Sequence, residues 1–455
     1  MPRRVVIASN RVPMPKERAA ATGGLTVAVR DAMPRRRKLW FGWSGRTTAR
    51  ETQTVPSIAR AGWAELATID LAESDYRGFY LGFANSTLWP LMHYRTSVAE
   101  YRRSDLENYL AVNAAFARAL VPLLDDDDLV WVHDYHLIPM GAALRALGVR
   151  RPLGFFLHVP FPPPEVFSVL PHYEQLLRTL DAYDVIGVQT PRDAAHMNQA
   201  MSSVAVAPRA DAFPVGIDPA GFAALARRAA MGRDSERLHQ SLSGRALVLG
   251  VDRLDYSKGL PQRFRGFAAL LQRFPEHRLA VTMLQIAPVS RGEVTQYRTL
   301  RRELDELAGR INGEHAEFDW IPLRYLTRGM ARQTVAGFYR YARVGLVTPL
   351  RDGMNLVAKE YVAAQDPEDP GILVLSRFAG AAEDMPGALI INPFDPDETA
   401  EALHVALTMG REERQSRWRE MMAAVERTSA AAWAQSFLAR LEAAAPARVP
   451  EVAIS

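Results

Sequence analysis

Short apolar runs alternate with helical stretches along most of this chain, and the alternation starts twice. In the first series Val5–Ala8, Leu129–Val132, Leu153–Val159, Val185–Gln189 and Phe213–Ile217 read as strands. In the second, Ala246–Val251, Leu279–Gln285, Gly345–Pro349 and Ile372–Ser376 do the same. Apolar strands separated by helical segments are the pattern of a doubly wound parallel sheet, so the expected class is α/β with two such domains. The helical, charged stretch Ala220–Gly244 carries no strand signal and reads as the link between them.

A chain of 455 residues, 48% hydrophobic and 23% charged, has ample core for two domains. Its 55 Lys+Arg and 51 Asp+Glu are spread without a long basic block, for a net charge of +4. That balance favours small anionic ligands over nucleic acid, and a mildly positive field helps to steer phosphates. With no cysteine there is neither a disulfide framework nor a thiolate metal site, which is compatible with a reducing cytoplasm. Arg3-Arg4 leads straight into Val5–Ala8, too short for a signal peptide, and no later run approaches the ~20 apolar residues of a membrane span. The expectation is a cytoplasmic protein that binds no membrane.

In such folds ligands bind beyond the carboxyl ends of the strands. Gly345–Gln365 changes there from a strand to a helical period, with Arg351-Asp352-Gly353 as the turn. Backbone N–H groups of Gly353 to Leu356 open a helix and suit hydroxyls or phosphate. Asp352 and Glu360 stand eight positions apart, near one helix face, where they suit two parts of one polyol. Asp252–Gly259 comes after a strand with Arg253, a planar fork, and Lys258, a point charge, both suited to a diphosphate. Asp134 at another strand end suits a ligand hydroxyl, whereas His133 and His136 face opposite ways and do not chelate one ion. The acids Asp125–Asp128 read as a solvated turn, Pro160–Glu165 as a stiff loop. Tyr80, Trp89, His93 and Tyr94 read first as core and second as a sugar-stacking surface.

Taken together, SNR at Ser9–Arg11, Gly23-Gly24-Leu25, LWFGWSG at Leu39–Gly45, LWPLMHYR at Leu88–Arg95, HDYHL at His133–Leu137 and FFLHVPFPPPE at Phe155–Glu165 resemble the trehalose-6-phosphate synthases. DRLDYSKGLPQR at Asp252–Arg263, SRGEV at Ser290–Val294 and TPLRDGMNLVAKEYVAAQ extend the resemblance from Val5 to about Leu441. These are retaining glucosyltransferases of glycosyltransferase family 20. The resemblance implies a GT-B fold of two Rossmann-like domains facing across a cleft: an acceptor domain over 1–220, a nucleotide-sugar donor domain over 221–430, and a C-terminal helix and tail over 431–455 packing back toward the first.

It also implies a reaction: glucose passes from UDP-glucose to glucose 6-phosphate with retention, giving α,α-trehalose 6-phosphate and UDP. Arg253 and Lys258 would hold the departing diphosphate and Glu360 the ribose. Asp352 with the backbone of Gly353, Met354, Asn355 and Leu356 would hold the glucose hydroxyls, Val357 would also bind the donor, and Gly23 and Gly24 would close over it from the other domain. His158 would lie near the glucose 6-hydroxyl, and Arg11, Tyr80, Trp89, Asp134 and Arg291 would bind the acceptor. Met330 stands where relatives often carry an aromatic beside the base, which leaves ADP- and GDP-glucose as alternative donors. Glycerol 3-phosphate is the alternative acceptor, and a non-catalytic sugar-phosphate sensor the alternative class. No cofactor and no obligatory metal are expected, the oligomeric state is left open, and release of free trehalose would fall to another enzyme.

Overall fold

In a computed structural model, residues 3–13, 24–33, 36–62, 64–289 and 295–444 are described. The chain forms two compact units. Met1–Arg18, Met33–Pro214 and Trp433–Ser455 make the first, Ala19–Ala32 and Val215–Ala432 the second.

The described strands of the first unit are β1 (Val5–Arg11), β2 (Lys38–Thr48), β3 (Ser57–Ala61), β4 (Ala64–Ala72), β5 (Leu129–His133), β6 (Leu153–Phe156), β7 (Val185–Val188) and β8 (Ala210–Ala212). They form one sheet in the order β3-β4-β2-β1-β5-β6-β7-β8, parallel throughout except at β3. Val5 to Ala8 are wholly buried, as strands covered on both faces must be. The strand order reverses between β1 and β5, so the crevice at the switch point is lined by the carboxyl ends of these two strands, Ser9–Arg11 and His133-Asp134.

The second unit's strands are β9 (Ala246–Val251), β10 (Val281–Ile286), β11 (Leu323–Leu326), β12 (Val344–Val347), β13 (Ile372–Ser376) and β14 (Leu389–Ile391). Their order is β11-β10-β9-β12-β13-β14, all parallel. Here the switch lies between β9 and β12, so Asp252–Gly259 and Thr348–Asn355 share a crevice.

Three local expectations are corrected. Phe213–Ile217 is not a strand; β8 ends at Ala212, the Phe213 N–H makes a last bond to the Val188 carbonyl of β7 (2.8 Å), and the polar groups beyond it are used elsewhere. Pro214 has no N–H, the carbonyl of Val215 accepts from Lys359 Nζ (2.9 Å), and that of Ile217 from the Ala430 N–H (2.8 Å). Ala220–Gly244 is not a linker: the helices Pro219–Ala230 and Arg233–Leu242 bury Phe222, Ala226, Leu238 and Leu242 in the second unit's core. The Ala- and Arg-rich stretch Thr399–Ala444, expected as helix interrupted at Gly410, is three helices, Pro396–Thr408, Arg411–Arg427 and Ala430–Ala443.

The last of these completes the first unit. Phe437 stacks on Trp131 of β5 at 4.5 Å and 10°, with Trp433 beside it at 4.9 Å. Gly154 on β6 and Gly187 on β7 make this approach possible, since a Cβ at either would stand 2.7 and 2.9 Å from Phe437. Of the four acids before β5, Asp128 takes two bonds from Arg4 (2.9 and 2.7 Å) and Asp125 lies 3.1 Å from the same guanidinium.

Candidate active site

Each unit carries a set of polar groups at its switch point. In the second unit the loop after β9 is fixed from below. Arg263, wholly buried, donates to Asp252 (2.7 Å), Gln285 (2.9 Å) and Thr348 (2.9 Å), tying the ends of β9, β10 and β12 together. Burial pushes the Asp252 carboxyl up, while Arg263 and Lys258 pull it down. Asp255 caps the turn by accepting from the Ser257 N–H (3.0 Å) and from the Tyr297 hydroxyl (3.0 Å). Gly259 then turns left-handed, φ +63°, against the Thr348 carbonyl; a Cβ there would lie 2.1 Å from that oxygen. Arg253 is left exposed on this braced loop.

Beyond β12, the Asp352 N–H donates to the Phe378 carbonyl (3.1 Å) and Gly380 returns a bond to the Asp352 carbonyl (3.2 Å). The Asp352 carboxylate pairs with the Lys258 ammonium and accepts from Asn355 Nδ2 at 3.0 Å. Asn355 adopts φ 73°, ψ 84° and caps the helix Leu356–Ala364 by accepting from the Ala358 N–H. The helix therefore begins after Asp352, and the two carboxylates expected on one helix face are one in the turn and one, Glu360, within the helix. Glu360 accepts from Arg332 at 3.3 Å, and Arg332 lies over the Phe222 ring at 4.9 Å. Gly353, Met354 and Asn355 are buried, while Leu356 and Val357 are half-buried and pack on the core. Met330 is half-buried against the same core. Gly24 opens the helix Gly24–Ala32; Gly23 and Arg291 lie outside the described residues.

In the first unit Asp134 ends β5 with φ 76°, ψ 166°, a conformation that non-glycine residues hold at a cost of roughly 1–3 kcal/mol and that clusters at functional sites. The Asp134 N–H donates to the Phe156 carbonyl (2.7 Å), and its carboxylate accepts from the His158 N–H (3.2 Å). His158 lies just beyond β6 and is half-buried. Its ring is bonded to His133, Nδ1 of His133 to Nε2 of His158 at 3.0 Å. Burial pushes the His158 imidazole down to about 3 and that of His133 well below its usual range, so both are neutral at working pH. His158 is thus a neutral hydrogen-bonding group.

Arg11 is exposed at the end of β1, its guanidinium 5.9 Å from the Trp43 ring. The aromatic stretch forms a wide, π-type helix, Tyr76–Leu88. It stacks Tyr80 between Trp43 (5.8 Å), Tyr76 (5.4 Å) and His136 (5.9 Å, 11°), leaving Tyr80 half-exposed. Trp89 is only 5% exposed, 4.2 Å from His93 and 5.7 Å from Tyr135, so it faces a ligand with no more than an edge. The core reading holds for Trp89, while Tyr80 is the residue of this stretch left partly open to solvent.

Arg263, Asp252, Arg332 and His133 are the residues sequence reasoning missed. Arg263 belongs to DRLDYSKGLPQR and His133 to HDYHL, so the motifs held the signal, but not the partners. One further grouping among the described residues has metal-ligand convergence, Glu276, His277 and His404. It sits on helical segments, its carboxylate is exposed, and the 3.0 Å between His277 Nε2 and His404 Nδ1 is the length of a hydrogen bond. Among the described residues no helix is long and apolar enough to cross a membrane.

Residues 4–443 match the model of glycosyltransferase family 20. The chain is 44% identical to the trehalose-6-phosphate synthase of Sinorhizobium fredii, covering 97% of this chain and 98% of the relative. Among solved structures it is similar to an alpha,alpha-trehalose-phosphate synthase (UDP-forming) from Burkholderia xenovorans in complex with glucose-6-phosphate, at 43% identity and TM-score 0.93 over 97% of this chain and all of that one. It is also similar to the Escherichia coli protein bound with UDP-2-fluoro glucose, at 43% identity and TM-score 0.92 over 98% of this chain and 100% of that one.

Proposed function

The chain belongs to glycosyltransferase family 20, and we infer from that membership and from the two switch-point sites that it moves glucose from UDP-glucose to glucose 6-phosphate with retention. The products are α,α-trehalose 6-phosphate and UDP. The observation that carries the residue assignments is the Lys258–Asp352–Asn355 cluster at a helix start, with Arg253 on the same loop as Lys258. It couples a diphosphate-binding cation to a sugar-binding carboxylate.

On this reading the donor diphosphate takes Arg253 and Lys258, and Glu360 takes the ribose. The phosphate competes with Asp352 for the Lys258 ammonium, which frees the Asp352 carboxylate to join the N–H groups of Gly353 to Leu356 on the glucose hydroxyls. Gly24 takes part in holding the donor, with Met330 near the base and His158 near the glucose 6-oxygen. Arg11 and Arg291 take the acceptor phosphate, with Tyr80, Trp89 and Asp134 around its sugar.

The bond from glucose C1 to the diphosphate oxygen breaks and a bond from C1 to the acceptor's 1-oxygen forms. Positive charge builds on the sugar ring and negative charge on the leaving phosphate, so cations already in place lower the barrier. The acceptor's proton passes to the leaving phosphate oxygen on the same face, which retains configuration without an enzyme nucleophile. Trapping a glucosyl ester on Asp352 or Asp134 would overturn that route.

Arg253 and Lys258 supply the charge that a divalent ion supplies in other transferases, so no metal is needed. We propose the cytoplasm as the enzyme's compartment, with which a chain free of cysteine is compatible. The test is nucleotide release from UDP-, ADP- and GDP-glucose with glucose 6-phosphate, and NMR of the product. UDP release with an α,α-1,1 linkage is expected; no release from a cooperatively melting protein would overturn the reading.

A further inference from the structure

His133 is fully buried at the end of β5, between Trp131 (ring centroids 4.6 Å) and Phe156 and Trp433 (6.4 and 6.3 Å). Among the described residues its Nδ1 has one partner, Nε2 of His158 at 3.0 Å, and its Nε2 has none. Both rings are neutral, so one proton lies between them and two arrangements are open. If His158 donated, His133 would carry its own proton on Nε2, a buried N–H with no acceptor. If His133 donates from Nδ1, its buried Nε2 is a bare lone pair among aromatic rings. Orphaned buried N–H groups are the rarer and costlier outcome, which selects the second arrangement. His158 then accepts at Nε2 and must carry its proton on Nδ1, the one ring nitrogen left for a ligand.

We propose that His133 is a positioning residue that holds His158 as the Nδ1–H tautomer, so that His158 donates a hydrogen bond to the 6-oxygen of the transferred glucose and discriminates against donors lacking it. The backbone of His158 is fixed from both sides, its N–H by Asp134 (3.2 Å) and its carbonyl by Gln189 (3.3 Å). With the backbone pinned, the His133 contact leaves the ring one orientation as well as one tautomer. The logic is that of a ligand-bearing imidazole whose second nitrogen is set by an outer partner. This inference rests on the placement of His158 beside the 6-oxygen, and two measurements separate the two.

The first reads the tautomer directly, by NMR of the full chain labelled with 15N-histidine, with the His158 signals identified from His158→Phe. In the unsubstituted chain His158 is expected to be protonated on Nδ1, and in His133→Phe to shift toward Nε2. Protonation on Nε2 in the unsubstituted chain, or no change in His133→Phe, overturns the proposal. The second compares kcat/KM for UDP-glucose and UDP-xylose, which lacks the hydroxymethyl group. His133→Phe should lower the glucose preference about tenfold. His133→Asn, whose amide N–H stands close to the Nδ1 position, should restore most of it. A loss equal for both donors would mean a merely structural role and overturns the proposal. If the tautomer result holds while His158→Phe leaves the preference unchanged, the 6-oxygen placement is what fails.

Discussion

At the scale of residues, the sites depend on charges whose partners differ in kind. Arg253 is exposed on a loop braced by others, so it contributes little to folding. Arg253→Ala should lower turnover by roughly 10²–10³-fold, as loss of a transition-state donor does, with a melting temperature within about a degree of the unsubstituted chain. Arg263 is the opposite case. It holds Asp252 inside the second unit, and removing one partner of a buried pair leaves a charge uncompensated. Arg263→Met should cost about 3–5 kcal/mol in urea unfolding, and Asp252→Asn made with it should recover part of that loss. Both arginines stand in DRLDYSKGLPQR, and the sequence alone suggested ligand binding for one and nothing for the other. Spacing along a chain does not reveal which guanidinium turns inward.

At the scale of elements, the helix Leu356–Ala364 links the donor site to both ends of the second unit. Beside Glu360 it carries Lys359, wholly buried, whose ammonium donates to the Val215 carbonyl (2.9 Å) and the Thr428 hydroxyl (3.0 Å). Burial pulls this lysine down from 10.5 to about 8, with Asp384 pulling the other way. The folded chain therefore loses the proton near pH 8 while the unfolded chain keeps it to about 10.5. Stability contributed by this group rises as pH climbs through that window, by up to about 3 kcal/mol. Urea unfolding at pH 7.5, 8.5 and 9.5 should show the rise in the unsubstituted chain and lose it in Lys359→Met. The strand-turn-helix around Asp352 was legible because its hydrophobic period changes within a few residues. Strands β3, β4, β11 and β14 were not, since they are short or broken by charges such as Glu65 and Asp70; β3 pairs only with the adjacent β4, while β4 and β11 are held by β2 and β10, farther away along the chain.

At the scale of the molecule, the chain is discontinuous in both units. Trp433 and Phe437 return to the first unit after more than two hundred residues in the second, and fill the space that Gly154 and Gly187 leave over its sheet. Trp433→Ala should cost about 3–5 kcal/mol, and its near-ultraviolet circular dichroism should change with that loss, because the indole packs on Trp131 and Phe156. The proposal that Arg253 and Lys258 make a metal dispensable is tested on the whole catalyst. Turnover should be unchanged by EDTA after extensive dialysis, and a rate restored only by a divalent ion would overturn it.

The sequence by itself determined the α/β class and the two series of parallel strands, because apolar period and turn chemistry act over a few residues. It also carried the family, because many motifs coincide along nearly the full length. The motif residues suggested the chemistry proposed above, cations for a diphosphate and carboxylates for a sugar. Only the tertiary structure decided what touches what. It gave Asp352 to Lys258, Glu360 to Arg332, Asp134 its strained backbone, and His158 its partner His133. It also turned the apparent linker after residue 219 into core and the run after Ala212 into irregular chain. The physical reason is common to all of these. A local pattern reports the preference of one segment, whereas burial, protonation and hydrogen-bond partners depend on residues brought from far along the chain.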